Sequence, residues 1–347
     1  MRRHYGLLVA LVVLTACTGT HAVAKAAEAS KSVTASVSAP LPSAAAPAPA
    51  PATPVAAVPL QPSPEPIPRA TAPSHAPDSN PEPPGIGRPP QFVVISFDGA
   101  GSTSLFQHWR DAAAAANHAH FTFFLSGVYL LPKGERVRYH PPHHNPGRSD
   151  IGFFDAGHVA RLHDQLSAAY REGHEIGTHF NGHFCAGRPG SIGTWTTADW
   201  NAEMDQFDSF LTDAKLPFGP AEVVGGRTPC LQGRPDQLFP ALTAHGFRYD
   251  ASGTSAAGKW PVRRGNLWEF PLQSLPIAGT TKTALSMDYN MYFSQSRGVD
   301  GPRASVAAYT EQALATYENA FQRSYVGNRA PLLLGNHFER WNGGAYT

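Results

Sequence analysis

From residue 91 onward, apolar positions fall into short unbroken runs and into stripes of helical period. Phe92 to Phe97 is nearly continuous, the pattern of a strand buried on both faces. A helical pattern covers Leu105 to Ala116, and Phe121 to Leu125 reads as a second strand. Residues 127–155 form a long stretch rich in Pro, His and Gly, followed by a helix over Ala156 to Arg171 and a strand over His174 to Thr178. Thr196-Thr-Ala-Asp199 fits a helix N-terminal cap. Trp200, Met204, Phe207 and Leu211 then recur at helical spacing, a stripe that reads as core packing. Further strands are expected at Val223 to Gly226, Arg248 to Asp250, Trp268 to Leu272 and Pro331 to Gly335. A helix over Ser305 to Phe321 carries Val306, Tyr309, Ala313 and Tyr317 on one face.

Strand-helix alternation of this kind predicts an α/β fold with a mainly parallel sheet and helices outside it. In such folds the chemistry gathers at the C-terminal ends of the strands. Asp98, His179, Arg227, Asp250 and His337 each stand at or just past a predicted strand end. Five polar candidates at five separate ends carry more information than any one of them.

The first 90 residues are different. Arg2 and Arg3 precede a short apolar stretch, Leu7 to Leu14, which has the form of an export signal. It is too short for a membrane-spanning helix, which needs about 20 apolar residues. The stretch closes on Leu14-Thr15-Ala16-Cys17, which resembles the lipobox of bacterial lipoproteins, where the cysteine is lipidated. Ordinary cleavage after Ala22-Val23-Ala24 is the alternative; the lipobox is preferred because the cysteine stands where that signal requires it. Residues 18–90 are rich in Ala, Pro, Ser and Thr, as in Ala44-Ala-Ala-Pro-Ala-Pro-Ala-Pro51. They lack the large apolar side chains that offset ordering entropy, so a disordered linker is expected, stiffened by proline into a spacer. The expected organisation is therefore a signal peptide over 1–17, a linker over 18–90 and one domain over 91–347. An exported protein held to the cell envelope by a lipid on Cys17, or else secreted, follows from that reading.

The whole chain has 347 residues, a formal charge of +1, and 15% charged residues. The charged share is well under the usual quarter, which reflects the long uncharged segments. With no basic stripe, nucleic acid is not an expected partner, and a monomer is expected.

His179 and His183 are four apart on a turn leaving a strand. That spacing lets two imidazoles meet one metal ion, commonly zinc. In a chain with 16 histidines, two solvated loop histidines are the plainer account of the pair alone. His140, His143 and His144 offer either a rival metal cluster or a flexible exposed loop, with a lid over a groove as a further alternative.

The set of motifs resembles the NodB-homology polysaccharide deacetylases, carbohydrate esterase family 4. Ser96-Phe97-Asp98 resembles their first motif, T-F-D-D, and His174-Glu-Ile-Gly-Thr-His179 with His183 resembles the second. Gly226-Arg227-Thr228-Pro229 resembles the third, Tyr249-Asp250 with Trp260-Pro261 the fourth, and Leu333-Leu334-Gly335-Asn336-His337 the fifth. Phe121-Thr-Phe-Phe124 is similar to the family's second strand. The motifs keep the family's order over roughly residues 91 to 340, and the chain ends at Thr347, soon after the fifth, where family members often continue.

The resemblance implies a distorted (β/α) barrel and a hydrolase that removes N-acetyl groups from amino-sugar polymers with a divalent metal, zinc first. By position, Asp98 would be the base that activates water, and the metal would polarise the carbonyl. His337 would be the acid that protonates the departing amine. Arg227 would hold Asp98 ionised, and Asp250 would orient His337 or stabilise its charge. A structural ion pair is the plainer role for either Arg227 or Asp250.

This chain departs from the family at Gly99, where a second aspartate would ligate the metal beside the two histidines. Three outcomes are open: Asp98 itself ligates, Asp288 of Ser286-Met-Asp-Tyr-Asn290 substitutes, or the metal site is weak or absent and the protein only binds carbohydrate. An O-acetyl esterase using the same site is another alternative. If the second and third motifs converge, Cys185 and Cys230 come close, and a disulfide bracing the site is expected, corresponding to about 4 kcal/mol in the chain-entropy model.

Overall fold

The computed structural model describes residues 87–187 and 189–346. The expected signal peptide, Cys17 and nearly all of the expected linker lie outside these residues. Among the described residues, no helix is long and apolar enough to cross a membrane.

Strand β1 (Val93–Asp98) leads through α1 (Thr103–Ala115) to β2 (Thr122–Leu125), and α2 (Ala156–Arg171) leads to β3 (Glu175–Thr178). Then come α3 (Thr197–Ala214), β4 (Gly225–Gly226), α4 (Pro235–Ala244), β5 (Tyr249–Asp250), β6 (Thr254–Ala256), β7 (Val262–Arg264) and β8 (Leu267–Glu269). The chain closes with β9 (Leu272–Pro276), β10 (Thr283–Leu285), α5 (Asp288–Ser296), α6 (Val306–Val326) and β11 (Leu332–His337), before a last short turn. The main sheet has eight strands in the order β11-β1-β2-β3-β4-β5-β8-β7, and β6, β9 and β10 form a second sheet of three. All neighbours in the main sheet are parallel except β7 with β8. The result is the mainly parallel α/β sheet expected from the alternation of elements, curled into a half-barrel in keeping with the distorted (β/α) barrel that the resemblance implies.

Local chemistry explains the helix starts. Ser102 accepts from the Leu105 amide, Asp155 from the His158 amide, and Thr196 with Asp199 forms a reciprocal capping box. The stripe of Trp200, Met204, Phe207 and Leu211 is buried, as read.

Strand β1 departs from its expected burial on both faces. Val93 and Val94 are 43% and 37% exposed, and only the C-terminal half is buried. In that half the faces divide as a pleat requires. Phe97 packs against Phe123, Trp109 and Phe338, while its neighbour Asp98 is held by Arg227. The predicted strand over Trp268 to Leu272 is two strands, because the chain leaves the main sheet at Phe270-Pro271 and enters the second one. A proline has no amide to give to a ladder, which suits it to that passage.

The loop over 127–155 is not a loose lid. Its Tyr139 is fully buried, and its ends are pinned by Gly127 N donating to Phe180 O (2.7 Å) and Asp150 N donating to Gly182 O (2.9 Å).

Candidate active site

The parallel register sets the site. Asp98 and His337 are Cα partners at the ends of β1 and β11, and Thr178 pairs with Gly226 at the ends of β3 and β4. The residues that follow, His179 and Arg227, therefore leave the sheet side by side.

Arg227 links two of the candidates. Its carbonyl oxygen accepts from His179 Nδ1 (2.8 Å), and its Nη1 donates to Asp98 Oδ1 (2.9 Å). Its Nε donates to Ala251 O (3.0 Å), and its guanidinium lies over the Phe124 ring at 4.8 Å. Asp98, His179 and Arg227 are 3%, 3% and 2% exposed. A carboxylate and a guanidinium buried together must be paired, and these are. Gly335 leaves the space for this: a Cβ there would lie 2.9 Å from Met287 and 3.4 Å from Arg227 Nη1.

The electrostatics follow from burial and partners. Burial works to raise the Asp98 carboxyl, but the Arg227 charge, with His179 and His337 beside it, outweighs burial and holds it below the ordinary carboxylate value. Burial lowers His179, and burial with His179 alongside pushes His183 down to about 3. Both rings are neutral near pH 7, the state in which imidazole binds metal. Because His179 Nδ1 donates to a carbonyl, its Nε2 carries the lone pair, and the two rings lie 5.3 Å apart.

Two sequence expectations are corrected here. Asp288 does not face the histidine pair. Its Oδ1 accepts from His337 Nδ1 (2.7 Å) and from Tyr289 N (2.6 Å), and its Oδ2 accepts from His337 N (2.8 Å). Asp250 does not touch His337; its two oxygens accept from the Ser252 hydroxyl (2.6 Å) and amide (3.3 Å). The reason is topological. Asp250 ends β5, on the far side of β1 to β4 from β11, whereas a bridge between Met287 and Gly335 lays residue 288 beside β11. Burial raises the Asp250 carboxyl to about 6, and its strand serves Arg227 through Ala251. His337 is also opposed by burial, but Asp288 and Asp98 outweigh it and raise its pKa.

The three loop histidines do not converge. His143 pairs with Asp199 (3.0 Å), His144 contacts Gly190 O (3.2 Å) and stacks on Phe184, and His140 is exposed. Cys185 and Cys230 form the expected disulfide, with Cα atoms 5.9 Å apart. Among the described residues, one group of three possible ligands is compact, His183 with those two cysteines, and the disulfide removes its thiolates.

The donors that remain are two neutral imidazoles, with the Asp98 charge acting on both; imidazole and carboxylate are the ligand types of divalent-cation sites. Among the described residues Asp98 does not close with the two imidazoles into a compact group of three ligands, and Gly99 contributes none. A Cβ at Gly99 would meet nothing within 4 Å, so space stands open there.

Sequence reasoning did not single out the rings around His337. Trp341 lies 5.0 Å from His337 and 5.1 Å from Tyr289, and stacks on Tyr292 at 5.4 Å and 3°. Trp341 and Tyr289 are half-buried and flank the imidazole with apolar surface. The signal was a tryptophan four residues after the strand-end histidine.

The chain resembles the NodB-homology polysaccharide deacetylases in the order of its motifs. No family model matches it, and no curated protein does. Similar solved structures include a mutant of a peptidoglycan deacetylase from Bacillus subtilis, with a TM-score of 0.29 and 14% identity over 44% of this chain and 55% of that one. Another is a pseudoenzyme of carbohydrate esterase family 4 from Bacillus anthracis, with a TM-score of 0.37 and 8% identity over 71% of this chain and 54% of that one. A third is a putative polysaccharide deacetylase involved in O-antigen biosynthesis from Bordetella bronchiseptica, with a TM-score of 0.34 and 15% identity over 71% and 70%. The chain spans little more than half the length of the first two.

Proposed function

We propose that this protein is a metal-dependent hydrolase that removes N-acetyl groups from an amino-sugar polysaccharide of the cell wall or extracellular matrix. One observation carries the reading: Arg227 holds a buried carboxylate with its side chain and a neutral imidazole with its carbonyl. A structural ion pair has no need of the second contact, and a metal site with an adjacent base uses both.

His179 and His183 would hold a divalent cation, zinc first, with Asp98 on its border. When bound, the cation supplies Lewis acidity toward the acyl oxygen and the attacking water. Asp98, kept ionised by Arg227, takes the proton from the water. His337, fixed at Nδ1 by Asp288, presents Nε2 to the departing amine and donates its proton. Tyr289 and Trp341 flank the imidazole with apolar surface.

A second reading is supported by Gly99, which leaves the cation one protein ligand short: a catalytically silent carbohydrate-binding protein. Acetate release from N-acetylated and from O-acetylated oligosaccharides separates the cases. Release from the N-acetylated substrate supports the proposal. Release only from the O-acetylated one replaces it with an esterase, and glycan binding without release replaces it with the binding protein. Export and a lipid anchor on Cys17 belong to the same proposal and are supported by the order of signal, cysteine and linker.

A further inference from the structure

The turn between His179 and His183 has an unusual foundation. Phe180 and His183 both adopt left-handed backbone, with φ of 58° and 61°. Such conformations cost about 1–3 kcal/mol each in non-glycine residues and persist only where the surroundings over-determine them. The surroundings here are a side chain from α3. Glu203 is 1% exposed, and its Oε1 accepts from Asn181 N (2.9 Å) and, at longer range, from Gly182 N (3.4 Å). Tyr139 OH donates to the same carboxylate (2.9 and 3.0 Å), and Asn181 Nδ2 donates to the Glu203 carbonyl (2.7 Å).

Among the described residues no cation pairs with Glu203, and burial raises its carboxyl to about 7. A buried acid without a counter-ion is costly unless its hydrogen bonds compensate. Those bonds go to the turn amides and to Tyr139. The carbonyls of the turn are held from the other side, Phe180 O by Gly127 N and Gly182 O by Asp150 N. No slack is left in the packing. A Cβ on Gly182 would come within 2.5 Å of Tyr139 OH, and one on Gly127 within 2.0 Å of Asn181 Oδ1.

We propose that Glu203 is a positioning residue that sets the separation of His179 and His183 by holding the amides of the turn between them. The inference rests on the reading of those histidines as metal ligands. Glu203 touches neither imidazole, so it acts through the backbone alone. Second-layer groups of this kind commonly change metal affinity by about 10–100-fold when removed.

The test uses wild-type protein and Glu203→Gln, with cobalt(II) as the probe metal. Amide exchange in the metal-free protein is the second readout. The expected result for the variant is cobalt affinity lower by about tenfold or more, with faster exchange at Asn181 and Gly182 and unchanged exchange in β1 and β2. Wild type that binds cobalt, with Glu203→Gln matching it in affinity and exchange, overturns the positioning role alone. Wild type that takes up no cobalt overturns the metal reading, and this inference with it. Should Glu203→Gln fail to fold, Tyr139→Phe decides. It removes one donor to the carboxylate, and cobalt affinity should fall by a few-fold, about the worth of one hydrogen bond; an unchanged affinity overturns the role.

Discussion

Asp288 grips His337 twice, at Nδ1 (2.7 Å) and at the backbone amide (2.8 Å). The grip orients the ring and raises its pKa against the opposing effect of burial. As the proton donor, His337 must be protonated, so activity falls as pH rises through its pKa. In Asp288→Asn burial is left with less opposition, and the alkaline limb of the pH-rate profile should move down by about one unit or more. A limb that stays in place would show that His337 is not the titrating acid.

Arg227 has the complementary effect on Asp98. The carboxyl is held below its ordinary value, so it contributes stability that is present above the unfolded pKa and lost as pH falls through the folded one. Arg227→Met leaves a buried acid unpaired, a change that costs about 3–5 kcal/mol when one partner of such a pair is removed. The acid limb of activity should then move to higher pH, because burial acts with less opposition. Denaturant unfolding across pH measures the first effect and the pH-rate profile the second.

Gly99 has a φ of +67°, and a side chain there would meet open space. Asp tolerates left-handed backbone better than most residues. Gly99→Asp should therefore add a carboxylate beside the histidine pair and raise zinc affinity, by titration calorimetry, about tenfold or more. Unchanged affinity would mean that the pair is not a metal site open toward Gly99.

The Cys185–Cys230 bridge ties the turn after His183 to the segment after Arg227. Replacing both cysteines with serine should lower stability by up to about 4 kcal/mol in the chain-entropy model. It should also weaken metal binding, since Cys185 Sγ lies 3.6 Å from His183 Nδ1. Thermal unfolding and calorimetry of the double variant check both effects.

Cys17→Ser should move the protein from the membrane fraction to the soluble fraction of an expressing cell. Fractionation and immunoblotting measure it, and an unmoved protein would remove the lipid anchor.

Much of the fold could be read from the chain because buried parallel strands and amphipathic helices leave patterns of their own. The helix over Ala156 to Arg171 is found with those bounds, and the Thr196–Asp199 cap opens α3. The elements that escaped have little pattern to show. Strands β6, β7 and β10 are three residues long, and α4 contains Pro240, a residue that argues against a helix interior. Glu203 stands on the buried face of the Trp200 stripe, three residues after Trp200 and four before Phe207, but an acid breaks the apolar pattern there and nothing nearby in sequence names Asn181 as its partner.

Sequence alone determined which residues stand at strand ends, because a strand-like segment closing on Asp98, His179, Arg227 or His337 is a local fact of the chain. It also fixed the absence of a carboxylate at position 99. Pairing across the sheet was decided only by tertiary structure. Asp250 and Asp288 look alike as aspartates near the end of an apolar segment, yet one caps a turn at Ser252 and the other holds His337. The difference comes from strand order and the bridge between Met287 and Gly335, which bring together residues 49 apart in the chain. No local periodicity encodes that approach, since hydrogen bonds and burial act through distance in space.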